Sequence, residues 1–483
     1  MIFQTFLDII SIGGDNMIIR PIYLKTLRKY RDIPLVKILA GIRRCGKSTI
    51  LEMLKNDLME SGVSESNIIS VRYTAETLNR SMTAQEMFDE IEKTGGVYYV
   101  YQTPEKESLT AAPKGYSPFY ISHYSRHGSR YLISDKDYKW VIDLFAKAHE
   151  QQALTSLGED VYTRLVKIWP EAEGRGGDLT PLGRRQHQGI AQRMFQNYPE
   201  VFTDGRKISA RSTVVLRCAM SMAAFGDQLK GMNPKLDITY EASEKYMNYM
   251  NFHTDESNKF TSDQTGPWVE EYKKFEAEHT RPERLMNTLF SSADFIRKQV
   301  NPHNLMWGLY WIASDMQDME TQVSFYDIFE KQELFDLWQC INYKFYVGNA
   351  NHADGKGIVV ANAKALLQNI LESADQAIED SSIAATLRFG HDGNVIPLAA
   401  ILGLNDCNVA VSQPEEVYKV WADYKIVPMA GNIQIIFYKN KDNRILVKFL
   451  LNEKEAKIPL ETGQYPYYDW SKVKSYYTNL LDR

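Results

Sequence analysis

The chain has 483 residues, of which 44% are hydrophobic and 12% aromatic, and its formal net charge is -5. This length predicts about two to four structural units with ample material for a large core. The negative charge excludes the basic surface that nucleic-acid binding needs, and no apolar run approaches the roughly 18 residues of a membrane-spanning helix. The cysteines Cys45, Cys218, Cys340 and Cys407 are widely spaced, so neither a metal site nor a disulfide is implied, and we expect no cofactor.

The first twelve residues are apolar but do not form a convincing signal peptide. They lack a basic start and already contain Asp8. The cellular compartment is therefore left open.

Residues 17–73 differ in kind from the rest of the chain. Residues 35–40 predict a buried strand and residues 49–58 a helix, and G-x-x-x-x-G-K-S lies between them. In a P-loop, backbone N–H groups cradle phosphates, the lysine reaches the terminal phosphates, and the hydroxyl ligates magnesium. The segment resembles the opening of a prokaryotic AAA-type ATPase. The resemblance makes ATP a candidate ligand and gives as nucleotide-binding residues Gly41, Gly46, Lys47 and Ser48.

This P-loop segment is incomplete. No apolar strand ending in an acidic residue follows Tyr73, so the parts that hold magnesium and position water are missing. Two short strands and one helix also bury too little surface for a stable α/β domain. We interpret residues 17–73 as a truncated ATPase fragment fused to an unrelated enzyme; weak nucleotide or phosphate binding and nucleotide hydrolysis remain as alternatives.

A short capping-box helix is predicted from Thr83-x-x-Glu86, and residues 97–101 predict a strand or extended segment. The next apolar run, residues 118–121, leads into Arg126-His127-Gly128-Ser129-Arg130. Two guanidiniums beside an imidazole suit a dianion, because arginine grips phosphate oxygens in pairs and an imidazole nitrogen can attack phosphorus. Gly128 is expected where the backbone passes close to the ligand. The alternative is a solvated basic loop.

The middle of the chain predicts mostly helix. Residues 135–173 have a helical pattern, and Thr180 and Pro181 open another helix, with close packing expected at Gly183. Residues 207–221 predict an extended stretch, after which a helix is predicted through Phe225. From 230 to 375, apolar and aromatic residues recur at helical spacing without strand alternation, which predicts an α-helical cap.

A second charged turn follows near the end of the chain. Residues 387–398 predict a strand tip that carries His391-Asp392 and feeds a helix. Residues 433–438 and 444–450 alternate as the two strands of a hairpin that closes the sheet.

R-H-G-S-R with the later His-Asp pair resembles branch 2 of the histidine phosphatase superfamily, the histidine acid phosphatases, phytases and multiple inositol polyphosphate phosphatases. The resemblance covers residues 82–483. It implies an α/β fold with a phosphoglycerate-mutase-like three-layer core, at about 82–229 and 376–483, and an inserted α-helical cap at about 230–375. The partial P-loop segment would precede this phosphatase domain.

The resemblance also implies roles. His127 would be the nucleophile and Asp392 the proton donor, with no metal. The phosphate would be held by Arg126, Arg130, Arg217 and His391. Arg217 matches the family's third arginine, at another strand tip, by its R-C-x-x-S context; Arg211 is the weaker candidate. His123 is expected behind these groups.

Two features bear on the substrate. Leu132 stands where the family usually has proline, and His-Asp is typical of acid phosphatases and bacterial phytases, whereas the surrounding residues favour inositol polyphosphate phosphatases. We expect a small phosphate ester, with inositol polyphosphates first and sugar phosphates or general monoesters behind. The alternatives are an ATP-binding protein with a silent phosphatase domain and a phosphoglycerate-mutase-like phosphotransferase. Relatives of this family are often periplasmic or secreted.

Overall fold

The computed structural model describes residues 54, 58, 59, 61, 90–104 and 109–482. The chain divides into two compact units, Met1–Leu78 and Asn79–Arg483, and all helices and strands with assigned bounds lie in the second. The P-loop predictions at Gly41, Gly46, Lys47 and Ser48 and the capping box at Thr83 lie outside the described residues.

A mixed sheet forms the centre of the second unit. Its strands are β1 Ser117–Arg126, β2 Lys207–Ser212, β3 Asp237–Ala242, β4 Ile383–Gly390, β5 Asn432–Lys439, β6 Ile445–Leu451, β7 Lys454–Ala456 and β8 Tyr468–Asp469. The order is β3-β2-β4-β1-β5-β6-β7, and β8 pairs with β6. The strands β3, β2, β4 and β1 run parallel, so their carboxyl ends meet at one edge. The predicted hairpin is confirmed as the antiparallel pair β5 and β6.

The α-helices, in chain order, are α1 Asp135–Glu150, α2 Ser156–Ala172, α3 Pro181–Asn197, α4 Leu216–Met232, α5 Met247–Met250, α6 Asp255–Thr261, α7 Val269–His279, α8 Glu283–Leu289, α9 Ala293–Gln299, α10 Pro302–Asp315, α11 Lys331–Asn349, α12 Lys364–Glu379, α13 Asp392–Leu402, α14 Pro414–Val420, α15 Asp423–Ile426 and α16 Trp470–Leu481. Short 3₁₀ helices lie at Ile91–Tyr98, Glu244–Tyr246, Tyr326–Ile328, Ala353–Gly355, Val360–Ala363 and Leu404–Asp406. Within this described part of the chain, no helix is long and apolar enough to cross a membrane.

Helices cover both faces of the sheet. On one face, α3 and α4 pack against strand residues such as Ile121 and Leu387. On the other face, α12, α13 and α16 pack against Tyr120, Phe437 and Phe449. Each face buries alternate strand residues, which is why β1 and β4 carry apolar residues such as Tyr120 and Ile121 on both sides. The predicted three-layer α/β core is confirmed.

The helices α5 to α11 lie in sequence between β3 and α12, and α10 and α11 are buried over most of their length. They share one apolar core with α1 and α2. The bounds of the cap, 230–375, remain a prediction, but the absence of a strand within them was wrong. β3 pairs with β2 at the edge of the sheet and has no fully buried residue, so its sequence carries no apolar alternation.

The helical pattern of residues 135–173 corresponds to two helices. Ser134 and Asp137 form a capping box at the start of α1, and Thr155 caps α2. The predicted start of α3 is confirmed, with Thr180 accepting a hydrogen bond from the Gly183 N–H and Pro181 in the first turn. The segment at 97–101 is 3₁₀-helical through Tyr98 and extended only afterwards.

Candidate active site

The two charged turns of the sequence meet at the carboxyl edge of the sheet. Arg126 is the last residue of β1 and pairs with Gly390, the last residue of β4. The His127 N–H donates to the Gly390 carbonyl at 2.9 Å, and the His127 carbonyl accepts from Ala430 N–H at 2.9 Å. Because parallel neighbouring strands end at the same edge of the sheet, R-H-G-S-R and His391-Asp392 lie side by side although they are far apart in the sequence.

His127 is only 2% exposed, and its ring is held in one tautomer. Nδ1 lies 2.9 Å from the Gly128 carbonyl oxygen, which can only accept, so Nδ1 carries the proton and Nε2 keeps its lone pair. Burial, followed by Arg126, Arg217 and Arg130, holds the pKa of His127 well below its ordinary value. A neutral imidazole with a free Nε2 is the form in which histidine attacks an electrophile.

Arg126 has no exposed surface. Its Nη1 donates to the carbonyls of Val97 and Val427, the latter at 2.9 Å, and its Nη2 lies 2.9 Å from Asp392 Oδ2. The Nη2 N–H is not aligned on that oxygen, and Nε has no acceptor among the described residues. The backbone therefore holds one end of the guanidinium while two donors stay available.

Arg130 is held by an aromatic neighbour. Its Nη1 donates to the Tyr98 hydroxyl at 2.9 Å and to the Tyr131 carbonyl at 2.8 Å, and its guanidinium lies 4.6 Å from the centre of the Tyr98 ring. Arginine stacked on an aromatic face is stabilised by the ring quadrupole. The Arg130 Nε again has no acceptor in the described part of the chain.

Arg217 joins the same group but from an unpredicted element. It lies in the first turn of α4, which begins at Leu216, and not at the tip of β2, which ends at Ser212. Burial and Arg130 lower the pKa of Arg217, and its Nε has no described acceptor. The prediction that Arg217 approaches His127 agrees with its effect on the His127 pKa, whereas its expected strand-tip position was wrong.

The three guanidiniums, called here the arginine cluster (Arg126, Arg130 and Arg217), share one property. Each keeps a buried Nε–H without an acceptor among the described residues. A buried donor left unpaired costs roughly 1–3 kcal/mol, and more when it is charged. Unpaired cationic donors on three arginines that all lower the pKa of His127 suit an anion with several oxygens.

His391 and Asp392 complete the arrangement. The His391 ring lies 5.8 Å from the His127 ring, and its Nε2 lies 3.1 Å from Thr213 Oγ1. Burial lowers the pKa of His391 to about 4 against the opposing effect of Asp392. Asp392 opens α13, where its Oδ1 accepts from Gly393 N–H at 2.8 Å. Burial favours its neutral form, but Arg126 and His391 outweigh it and lower the pKa of Asp392.

Two weaker sequence candidates have other partners. Arg211 donates to Glu241 of β3 and to the Tyr249 hydroxyl of α5, both at 3.1 Å, so its guanidinium is engaged away from His127. His123 lies between Phe225 and Phe389, and burial lowers its pKa to about 3. His123 therefore packs as a neutral ring beneath the site.

Gly128 has a packing role that the sequence did not predict. A Cβ on Gly128 would lie 2.4 Å from the Gly183 carbonyl oxygen, and a Cβ on Gly183 would lie 2.2 Å from the Ser129 carbonyl oxygen. The two glycines let the loop and the start of α3 touch backbone to backbone. The close packing predicted at Gly183 is confirmed, whereas the approach of Gly128 to a ligand stays a prediction.

Leu132 also has a local explanation. Its N–H donates to the Tyr138 hydroxyl at 2.8 Å, a bond that a proline at this position would remove. The departure from the family's usual proline thus creates a hydrogen bond beside Arg130.

Sequence reasoning missed the residues that position the arginines. Val97, Tyr98 and Val427 contact them through backbone carbonyls and one hydroxyl, and a carbonyl has no sequence signature. The Gly95-Gly96 pair was the only available signal: Gly96 has a φ of 57°, and a Cβ there would lie 2.6 Å from Asp423 Oδ2.

A neutral, oriented histidine among three arginines with unpaired donors, beside a carboxylate, defines an oxyanion-binding site of the kind that supports covalent phosphoryl transfer. In the described residues, no cluster of three or more His, Cys, Asp or Glu side chains could hold a metal ion. The chain belongs to the histidine phosphatase superfamily (branch 2), whose family model matches residues 124–452. The predicted family is thereby confirmed.

Individual relatives agree with this family. Multiple inositol polyphosphate phosphatase 1 of Gallus gallus is 22% identical over 387 residues, which cover 76% of this chain and 83% of the relative. The fold matches the multiple inositol polyphosphate phosphatase of Bifidobacterium longum in complex with inositol hexasulfate, with a TM-score of 0.67 and 19% identity over 79% of this chain and 97% of that one. The phytase from D. castellii matches with a TM-score of 0.58 and 15% identity, over 84% and 90% of the two chains. These matches do not support the predicted P-loop ATPase segment.

Proposed function

We propose that this protein is a phosphoric monoester hydrolase that acts on inositol polyphosphates through a phosphohistidine at His127. The family and the named relatives support the activity. The observation that carries the mechanism is the set of buried, unpaired Nε–H donors of the arginine cluster around a neutral His127.

In the first half-reaction, the phosphate dianion binds the arginine cluster and His391. Nε2 of His127 attacks phosphorus in line, a P–N bond forms, and the P–O bond to the leaving alkoxide breaks. Asp392 gives its proton to the alkoxide oxygen. The cluster holds the non-bridging oxygens throughout, and its donors are already in place, so little reorganisation opposes the transfer.

Asp392 must be protonated in the complex although it is ionised in the free protein. Its low pKa depends on Arg126, whose Nη2 lies 2.9 Å from its carboxylate. A phosphate dianion that pairs with the same guanidinium weakens the stabilisation of the Asp392 carboxylate by Arg126. It also adds negative charge nearby, and both effects raise the pKa of Asp392. Substrate binding thus prepares the proton donor, and we expect acid pH to favour the reaction.

In the second half-reaction, water attacks the phosphorus of the phosphohistidine. The Asp392 carboxylate takes a proton from that water, the P–N bond breaks, and inorganic phosphate leaves. The Nδ1–H of His127 donates to the Gly128 carbonyl in both steps, which keeps Nε2 aimed at phosphorus. The protonation states and charges of His127 and Asp392 are then the same as at the start of the first half-reaction.

Phosphate release tests this proposal. The protein is assayed with phytate, glucose 6-phosphate and p-nitrophenyl phosphate, with and without EDTA. We expect release from phytate with the highest kcat/KM and no effect of the chelator. Phosphate transferred between substrate positions without release would favour the phosphoglycerate-mutase-like alternative, and no turnover of any ester would favour a silent phosphatase domain.

The amino-terminal segment is the subject of a separate proposal. We infer from its sequence that residues 17–73 are a truncated ATPase fragment that phosphatase turnover does not need. Any truncation must spare the 3₁₀ helix Ile91–Tyr98, because Val97 and Tyr98 hold Arg126 and Arg130. A protein starting at residue 79 should therefore keep its phosphatase activity, whereas one starting at residue 102 should lose it.

A further inference from the structure

Two buried side chains that the mechanism does not use contact the ring of His391. Thr213 Oγ1 lies 3.1 Å from His391 Nε2. Cys218 Sγ lies 3.7 Å from Nε2 and 3.9 Å from Nδ1 of the same ring. Neither Thr213 nor Cys218 has exposed surface. Because a neutral imidazole has one donor nitrogen and one acceptor nitrogen, the partners of the ring decide which nitrogen can donate to an anion.

The backbone of the sheet places Thr213 beside this ring. The Thr213 N–H donates to the Phe389 carbonyl at 3.0 Å, just beyond the last pair of β2 with β4, which joins Ser212 to Phe389. The Thr213 carbonyl accepts from the Ser212 hydroxyl at 2.9 Å. His391 comes two residues after Phe389. The end of β2 and the end of β4 therefore bring the Thr213 hydroxyl and the His391 ring together.

Cys218 offers the ring an acceptor and not a donor. Its Sγ lies 3.3 Å from the Gly390 carbonyl oxygen, which can only accept, so the thiol proton points to that carbonyl. The same carbonyl accepts from the His127 N–H at 2.9 Å. Burial raises the pKa of Cys218 to about 11, so the thiol keeps its proton. Since thiol sulfur is a weak acceptor, Thr213 is the strong partner of the His391 ring in the described part of the chain.

The hydroxyl proton of Thr213 distinguishes the two tautomers of His391. Burial lowers the pKa of His391 to about 4, so the ring is neutral near neutral pH. Among the described residues, the Thr213 hydroxyl has one hydrogen-bond partner, His391 Nε2. If Nε2 carried the proton, Thr213 would accept it and would leave its own hydroxyl proton buried without an acceptor, which is destabilising. Nδ1 would then present a lone pair, which repels an anion.

We propose that Thr213 is a positioning residue that donates to Nε2 and fixes His391 as the Nδ1–H tautomer, so that Nδ1–H is the donor with which His391 binds the phosphate. The Cys218 contact with Nδ1, at 3.9 Å, is too long to compete with a phosphate oxygen for this donor. The inference rests on the proposed function, because the donor that it assigns belongs to the phosphate site of that reaction.

The two histidines of the site are then complementary. The Gly128 carbonyl takes the Nδ1 proton of His127, which leaves the Nε2 lone pair for phosphorus. The Thr213 hydroxyl takes up the Nε2 lone pair of His391, which leaves the Nδ1 proton for a phosphate oxygen. Both rings are neutral, and the hydrogen bond at one nitrogen sets the task of the other.

The tautomer is measured by nitrogen-15 NMR of the protein labelled at histidine, at about pH 7. The His391 signals are those that disappear in His391→Gln. We expect the Nδ1–H form of His391 in the wild type. Thr213→Val keeps the branched shape of the side chain but removes the hydroxyl, so the Nε2–H form should appear. Thr213→Ser keeps the hydroxyl and should retain the Nδ1–H form.

Sulfate binding gives the functional readout, because sulfate keeps two negative charges at this pH. In Thr213→Val the calorimetric dissociation constant should rise about 10-fold or more, the value of one hydrogen bond to a charged group. Thr213→Ser should bind sulfate as the wild type does. With p-nitrophenyl phosphate, Thr213→Val should raise KM more than it lowers kcat, because the nucleophile and the proton donor are untouched.

Two further variants separate the hydrogen bond from packing. Cys218→Ala removes the other contact with the His391 ring but leaves the Thr213 hydroxyl, so the ring should remain in the Nδ1–H form. Thr239→Val is the matched control, since it makes the same replacement in β3, where the hydroxyl donates to the Ile208 carbonyl at 3.3 Å. It should change neither the tautomer nor the sulfate affinity.

Each outcome bears on one claim. The Nε2–H form in the wild type would overturn the assignment, even if Thr213→Val fails to fold. An unchanged tautomer or an unchanged sulfate constant in folded Thr213→Val would also overturn it. Equal loss of sulfate affinity in Thr213→Val and Thr213→Ser would mean that shape matters and not the hydroxyl, which again overturns it. Absent ester turnover, with the Nδ1–H form and sulfate binding that depends on Thr213, would instead contradict the proposed function and leave the role of Thr213 supported.

Discussion

The replacement Asp392→Asn separates proton donation from phosphate binding. The amide keeps the size of the side chain and an oxygen that can accept from Gly393 N–H and face Arg126, but it loses the acidic proton and the charge. If Asp392 protonates the leaving group, esters of aliphatic alcohols must suffer, because an alkoxide is a poor leaving group. Esters of p-nitrophenol, whose anion leaves unaided, should be spared in that step.

The structure gives magnitudes for both effects. General acid catalysis supplies about 10²- to 10⁴-fold, so the rate of phosphoryl transfer from phytate should fall by that factor. The Arg126–Asp392 contact of 2.9 Å joins a fully buried cation to a side chain that is 25% exposed. Losing one partner of a buried pair costs about 3–5 kcal/mol, and the exposure of Asp392 reduces this to about 2 kcal/mol of folding stability. Bound phosphate should restore part of this lost stability by pairing with Arg126.

The assay is rapid-quench kinetics, since steady-state turnover also contains hydrolysis of the phosphohistidine. With p-nitrophenyl phosphate, Asp392→Asn should keep the burst of p-nitrophenol and slow only the phase that follows. With phytate, the burst itself should slow. In the wild type, kcat for phytate should fall as pH rises through the pKa of Asp392 in the complex, and this limb should vanish in the variant. Equal loss of the two bursts would refute proton donation and indicate positioning.

Three further results are expected. Activity should survive EDTA, because the arginine cluster supplies the positive charge; loss restored by zinc or magnesium would contradict this site. Gly183→Ala should cost several kcal/mol of stability or prevent folding, because its Cβ would lie 2.2 Å from the Ser129 carbonyl oxygen. The control Gly205→Ala, whose Cβ would have no neighbour within 4 Å but whose φ is 76°, should cost about 1 kcal/mol in thermal unfolding. Equal costs for the two variants would contradict the contact at Gly183. Lys47→Ala should leave phosphatase kinetics unchanged, and any ATP cleavage should depend on His127; magnesium-dependent ATPase activity lost in Lys47→Ala alone would mean a second active centre.

Both signature turns could be predicted because their information is local. An apolar run followed by charged residues and glycine indicates a strand that ends in a loop, and Thr180 with Pro181 indicates a helix start. The fold then followed from the family resemblance, and the sheet and its covering helices agree with it. α4 begins at Leu216, and its N-cap residue, Val215, has no side chain that can cap the helix. Because the sequence contains no helix-start signal there, Arg217 was assigned to a strand tip.

The supporting groups could not be predicted for a different reason. The carbonyls of Val97 and Val427 reach Arg126 from other segments of the chain, and each is an ordinary residue in its local sequence. Their contribution depends on burial and on the direction of single oxygen atoms. β3 was missed because neither of its faces is fully buried.

The most direct measurement of the central claim is the site of covalent phosphate. The protein is mixed with phytate for milliseconds, quenched in base to preserve phosphohistidine, digested, and analysed by mass spectrometry. The account predicts acid-labile phosphate on His127 in the wild type. With p-nitrophenyl phosphate in place of phytate, it predicts more of this phosphate in Asp392→Asn, because formation of the intermediate is then spared while its hydrolysis is slowed. It predicts none in His127→Ala, which should remain folded but lose nearly all turnover. Rapid phosphate release by His127→Ala, or phosphate bound to another residue in the wild type, would contradict it.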